Sequence, residues 1–231
     1  MTVAAGWTYM TLGQLLVECP ARLAVFERFG VDCFCAGRMS LGPACAARGV
    51  DPAGVSSALL AVDGSDDRRA LYVALDKIIR HLDEVHHGPM RREMTRLEGL
   101  LERSVEKQGA RFPHWASVLA AYSEWAGHMD GHMREEEEGV FTMCRAIIAG
   151  RHDDVKPGAV AANVRAMLDE HGSGGNETEQ LRAAARDYAV PDGACDEYRS
   201  AMAGLCAMEA DLHRHMYEEN MILFPMALAA Q

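Results

Sequence analysis

No apolar run in this 231-residue chain reaches the roughly 18 residues that a membrane-crossing helix needs, so no membrane partner is expected. The opening stretch MTVAAGWTYMTLGQLL lacks a basic segment leading into an apolar one. No secretory leader is expected there, and the cytosol is the expected location. No two cysteines have the C-x-x-C spacing of zinc sites, and the seven that exist are odd in number and scattered, which does not suggest a disulfide framework. Period-two alternation of apolar and polar residues, the mark of a strand, is nearly missing. Basic residues are the minority, 23 Lys and Arg against 34 Asp and Glu, for a net charge of −11. A phosphate backbone would be repelled by such a surface, so no nucleic acid is expected. The same balance suits a protein that handles cations, although acidity in most proteins serves only solubility.

What is present is helix-forming. Hydrophobic residues make up 49 % of the chain and charged residues 25 %, enough for a sizeable core in one or two domains. Ala, Leu, Met, Glu and Arg dominate, and the predicted fold class is all-α. Residues 1–62 read as a small helical, cysteine-bearing domain. In it Pro20 can open a helix and Gly30 close it, and Asp51 caps another helix that begins at Pro52. The polar, Gly-containing residues 63–69 read as a linker. Residues 70–231 carry four periodic segments, at roughly 70–107, 112–149, 157–187 and 191–228, broken at Gln108-Gly109, Gly150 to Gly158 and Pro191-Asp192-Gly193. Four long helices with short connections predict an up-down-up-down four-helix bundle. Gly88-Pro89 predicts an interruption of the first of them.

Residues 132–143 read HMREEEEGVFTM and residues 215–226 read HMYEENMILFPM, with six of twelve positions identical. His132 and Glu136 are four apart, as are His215 and Glu219, so each helix presents an imidazole and a carboxylate on one face. His87 precedes the first pair by 45 residues and His171 precedes the second by 44. In an antiparallel hairpin of long helices that separation puts residues at one height. Two hairpins would thus bring four histidines and two glutamates into one layer. A glutamate run such as 135–138 is ordinarily solvated surface, and a lone histidine on an apolar face is ordinarily a satisfied core residue. The repetition is what favours a metal. Buried carboxylates are costly unless paired or metal-bound, and helical phase puts Glu219 beside His215, Ile222 and Met226. Nitrogen and oxygen donors without thiolate point away from structural zinc and toward a carboxylate-bridged pair of iron or manganese ions.

The set His87, His132-x-x-x-Glu136, His171, His215-x-x-x-Glu219 resembles a hemerythrin-type di-iron bundle. The stretch TLGQLLVECPARLAVFERFGVDCFCAGRMSLGPAC and the ending Leu223-Phe224-Pro225 resemble the bacterial repair-of-iron-centres family. The resemblance implies a hemerythrin-like bundle preceded by a small cysteine-bearing domain. It implies two iron ions, oxo-bridged when oxidised, with His87, His132, His171 and His215 as terminal ligands, Glu136 and Glu219 as bridges and Glu170 nearby. The implied function is repair of iron–sulfur clusters after nitrosative or oxidative damage, either by supplying iron or by binding and reducing nitric oxide. Damaged iron–sulfur proteins would be the iron acceptors, and nitric oxide or dioxygen the small ligand. A non-catalytic scavenger of those gases and an iron or oxygen sensor are the rival readings.

Departures from the family pattern add further expectations. Cys33-Phe34-Cys35 replaces adjacent cysteines, so only Cys35 matches one of them. A Cys35 thiolate would be favoured by the nearby Arg38, and Cys33 is a weaker functional candidate. His128, four residues before His132, is a candidate supporting or alternative ligand, with a core histidine as the plainer reading. Gly175 stands four residues after His171, where oxygen carriers have a second histidine. That leaves one iron less crowded, and the helix weak across Gly172 to Gly175.

Overall fold

A computed structural model describes residue 7 and residues 9–64 and 67–231. Ser65 and Asp66, in the expected linker, and most of the first eight residues lie outside the described part. Among the described residues there is no strand, only an isolated antiparallel bridge between Thr11 and Ser40, and no helix is long and apolar enough to cross a membrane.

Short helices come first: α1 (Leu12–Glu18), α2 (Arg22–Arg28), α3 (Leu41–Arg48) and α4 (Pro52–Leu60). Their ends follow local chemistry. Thr11 and Gln14 exchange bonds in a capping box at the start of α1. Asp51 accepts from the amides of Ala53 and Gly54 at the start of α4. Past the end of α2, Gly30 takes φ +65°, a left-handed conformation that other residues enter at a cost.

Longer segments follow. The first is α5 (Arg68–His81), a π turn (Leu82–His87) and α6 (Gly88–Gln108). The second is α7 (Trp115–Glu136), a π turn (Glu137–Phe141) and α8 (Thr142–Ile148). The third is α9 (Ala159–Ala184), and the fourth is α10 (Asp196–Glu218), a π turn (Glu219–Leu223) and α11 (Phe224–Ala229). Helix α7 starts at Trp115 because Pro113 holds Phe112 out of helical conformation. The interruption expected at Gly88-Pro89 takes the form of the π turn just before it. A π turn already breaks the regular backbone ladder, so Pro89 at the start of α6 removes no bond that an α-helix would keep there. Pro225 stands the same way at the start of α11. The backbone of α9 is helical straight through Gly172 to Gly175, so the glycines there lower propensity without ending the helix.

The chain divides into two compact units, one comprising Met1–His81, Val140–Ala162 and Arg214–Gln231, the other Leu82–Gly139 and Asn163–His213. The first buries Leu12, Leu15, Phe26, Leu59, Leu75 and Ile78 completely. The second is built on Trp115, Tyr122, Trp125, Leu97 and Tyr198, each aromatic contributing about 1.5–3 kcal/mol or more by burial. There the Tyr122 hydroxyl donates to the Met94 carbonyl at 2.6 Å and Trp125 Nε1 donates to the Thr178 hydroxyl at 3.1 Å. Helices of that unit pack closely at Gly204, where a Cβ would lie 2.6 Å from Leu97 Cδ2.

Candidate metal centre

Helix α7 delivers His132 and Glu136 to one face, four residues apart. The Glu136 side chain is fully buried. Three imidazoles of the same unit converge on it. His87 Nε2 lies 3.4 Å from Glu136 Oε2. His132 Nε2 and His171 Nε2 lie 3.7 and 3.9 Å from Oε1 and 2.9 Å from each other. Donor atoms of His132, Glu136 and His171 all fall within 4.8 Å of one another. Around a first-row cation with bonds of about 2.0–2.2 Å, neighbouring donors stand roughly 2.9–3.4 Å apart, so this spacing fits one ion with little adjustment.

The opposite ring nitrogens set the tautomers. His87 Nδ1 lies 2.8 Å from Glu137 Oε1, and His132 Nδ1 lies 2.8 Å from Glu170 Oε2. Each Nδ1 must carry the proton to bond a carboxylate, which leaves the Nε2 lone pair aimed at the buried Glu136. Lone pairs facing a carboxylate at these distances repel one another unless a proton or cation stands between them. Carboxylate–imidazole pairs of this kind also hold metal ligands in place. Arg91 fixes the outer partner, donating to Glu137 at 2.7 and 3.2 Å and to Asp130 at 3.0 Å. Burial pushes the Glu137 carboxyl up, but the bonds from Arg91 and His87 outweigh it and leave it below the usual carboxylate range.

The other unit carries the second pair at the end of α10. His215 Nε2 lies 2.5 Å from Glu219 Oε1, with side chains 1 % and 0 % exposed. Glu219 opens its π turn, as Glu137 opens the one after α7 and His87 closes the one after α5. All three breaks in helical geometry therefore fall at the predicted ligands or beside them, where π turns are often found at functional sites.

The remaining candidates fall elsewhere. Glu170 is 44 % exposed and holds His132. His128 is neither core nor ligand: its side chain is 64 % exposed and pairs with Glu177 at 2.5 Å. Cys33 is buried, and burial pushes its thiol far above its ordinary value. Cys35 is exposed, but the expected activation by Arg38 is absent. The Arg38 guanidinium lies over the Tyr217 ring instead, and burial of the sulfur together with the Asp32 charge pushes the Cys35 thiol up to about 11. All seven cysteines are free thiols. Sequence reasoning missed Glu137, Arg91 and Asp130. Glu137 sat inside a glutamate run that reads as solvated surface, and nothing in the spacing joins Arg91 to Asp130.

Residues 66–227 match the hemerythrin HHE cation binding domain. The chain belongs to that family. The hemerythrin-like helical bundle read from the sequence follows from this membership. Similarity to individual relatives extends over nearly the whole chain. The iron-sulfur cluster repair protein ScdA of Staphylococcus haemolyticus is 22 % identical over 92 % of this chain and 95 % of its own. The iron-sulfur cluster repair protein YtfE of Musicola paradisiaca is 26 % identical over 96 % and 97 %, and that of Salmonella typhimurium is 27 % identical over 95 % and 97 %. The His/Glu cluster of this HHE chain has the donors of a metal centre.

Proposed function

We propose that this chain is a cytosolic di-iron protein that repairs iron–sulfur clusters damaged by nitrosative or oxidative stress. In this reading His87, His132, His171 and His215 would hold the two ions as terminal ligands, and Glu136 and Glu219 would be shared between them. Residues 70–231 make the bundle that holds them, residues 1–62 a small domain that meets the damaged protein, and residues 63–69 the linker. The observation that carries the reading is the set of imidazole Nε2 atoms aimed at buried Glu136 while carboxylates hold the Nδ1 protons of His87 and His132. HHE membership supports a cation there, and the names of the relatives support cluster repair as the task.

Bound iron supplies redox chemistry toward small ligands such as nitric oxide and is also the cargo a damaged cluster needs. The protein's own groups do the rest. Glu136 and Glu219 contribute negative charge that offsets repulsion between two cations. Glu137 and Glu170 keep His87 and His132 in the ligating tautomer. His132 and Glu170 are the solvent-facing part of the cluster, at 13 % and 44 % exposure, which suits release of iron to an acceptor and access for nitric oxide.

Iron-replete expression is expected to give about two irons per chain, with near-ultraviolet absorption of an oxo-bridged pair on oxidation. The loaded protein is expected to restore activity to a nitric-oxide-damaged, aconitase-type enzyme. Anaerobic turnover of nitric oxide separates a reductase from an iron donor. A well-folded protein that carries one zinc, or no metal, overturns the reading.

A further inference from the structure

A second group of donor side chains lies outside the six predicted ligands, entirely within the first unit. Cys35 Sγ is 3.8 Å from His81 Nε2, and His81 Nε2 is 3.0 Å from Glu218 Oε2. The three donor atoms fall within 4.8 Å of one another. We infer that Cys35, His81 and Glu218 form a separate site for one divalent transition-metal cation, with Cys35 as its solvent-facing ligand.

The separations suit such an ion. With metal–sulfur bonds of about 2.3 Å and metal–nitrogen or metal–oxygen bonds of about 2.0–2.2 Å, tetrahedral donors stand roughly 3.4–3.6 Å apart, between the two distances observed. The side chains are held in place. Asp32 Oδ1 accepts from the amides of Phe34 and Cys35 at 3.0 and 3.1 Å, which fixes the loop that carries the thiol. Gly37 lets that loop close: a Cβ there would stand 2.9 Å from the Phe34 carbonyl oxygen. The Tyr217 hydroxyl donates to the Gly37 carbonyl at 3.0 Å and ties the loop to the helix that carries Glu218. The Phe34 ring lies 5.2 Å from that of His81 and orients it.

Donor type and charge select the ligand. One thiolate, one imidazole and one carboxylate favour iron(II), cobalt(II) or zinc(II) over calcium or magnesium. Three protein ligands leave a fourth position open on the exposed Cys35 side. Glu218 is 2 % exposed, and with Asp32 it opposes ionisation of the Cys35 thiol, while Arg214 favours it. A dication in the cluster offsets those negative charges. On binding, the S–H bond breaks, the sulfur–metal bond forms, and the proton leaves to solvent. The site requires neither the six-residue centre nor its iron pair, and it gives the first unit a port for a single metal ion.

The test uses the full chain, loaded with iron, dialysed and titrated with cobalt(II). One equivalent is expected to raise a thiolate-to-cobalt charge-transfer band in the near ultraviolet while the iron content stays constant. Cys35→Ser abolishes the band, His81→Ala weakens cobalt binding at least tenfold, and Cys206→Ser, at another exposed cysteine, changes nothing. Absence of the band, its survival in Cys35→Ser, or unchanged binding in His81→Ala overturns the assignment. Cys35→Ser is an exposed, nearly isosteric change that leaves the fold intact, so it decides the question even where His81→Ala lowers stability. The six predicted iron ligands include no cysteine, so the band reports on this site alone, whether or not the di-iron reading survives.

Discussion

The two copies of the His-x-x-x-Glu motif share spacing and differ in exposure. Along α7 the side chains of His128, His132 and Glu136 are 64 %, 13 % and 0 % exposed. At the matching positions of α10, Asp211, His215 and Glu219 are 23 %, 1 % and 0 % exposed. Both series fall toward the glutamate for one reason. Four residues turn an α-helix by about 400°, so each step of four drifts about 40° around the axis. Two steps move His128 about 80° away from Glu136 and out to solvent, whereas one step keeps His132 within reach. The second series starts from a less exposed residue, because Asp211 pairs with buried His86 at 3.1 Å. One motif thus gives a copy with a solvent-facing imidazole and a copy that is sealed. Spacing specifies which residues share a face, and what surrounds the helix decides which of them meet water.

The comparison can be broken by exchanging its members. The largest effect is expected where the copies are alike: Glu136→Leu and Glu219→Leu should each lose both irons, and a stable one-iron protein in either case would refute bridging. Next come the histidines, where the copies should diverge. His215→Ala takes away the imidazole 2.5 Å from buried Glu219 and should cost stability together with metal. His132→Ala, at a partly solvated position, should affect mainly one iron and cost clearly less. Mössbauer spectra and thermal unfolding of the two variants check the ranking. Smaller again is Glu170→Gln, which loosens His132 without removing it and should weaken metal binding by about 10–100-fold, read by competition with a chelator. The mildest effect is on pH dependence. Glu209, on the helix of the sealed copy, is buried but accepts bonds from Arg182 and Tyr188, which outweigh burial and hold its carboxyl below the ordinary range. Its contribution is therefore complete above the unfolded carboxylate value and is lost as pH falls through the lower folded value. Glu209→Gln should flatten the acid limb of the stability curve; an unchanged limb would remove Glu209 as its source.

Much of this was legible in the sequence. The helical segments, most of their breaks and the convergence of His87, His132 and His171 on Glu136 follow from period, punctuation and spacing. Three features were not. The π turns shift hydrogen bonding by one residue and leave the apolar pattern almost unchanged, so periodicity does not see them. The exposure of His128 follows from the drift of about 40° per four residues, which an i, i+4 rule ignores. The grouping of Cys35 with His81 and Glu218 joins residues 46 and 183 positions apart in sequence, with no repeat to link them. The tether of Cys35 to Asp32 rather than Arg38 is likewise set by a loop whose backbone the sequence does not dictate.

Each π turn has a further consequence for how the chain tolerates changes in length. It holds one residue more than an α-helix would need to join the same flanking turns. Deleting a residue from Leu82–His87, Glu137–Phe141 or Glu219–Leu223 would allow regular α-helix to form there with the flanking turns kept close to their present orientation. A single-codon loss in these segments is therefore absorbed within the turn rather than passed along the helix. Among homologues, a one-residue gap inside an otherwise continuous helix at these places would mark a chain in which the side chains of the turn itself have been re-aimed, even if every histidine and glutamate is still present.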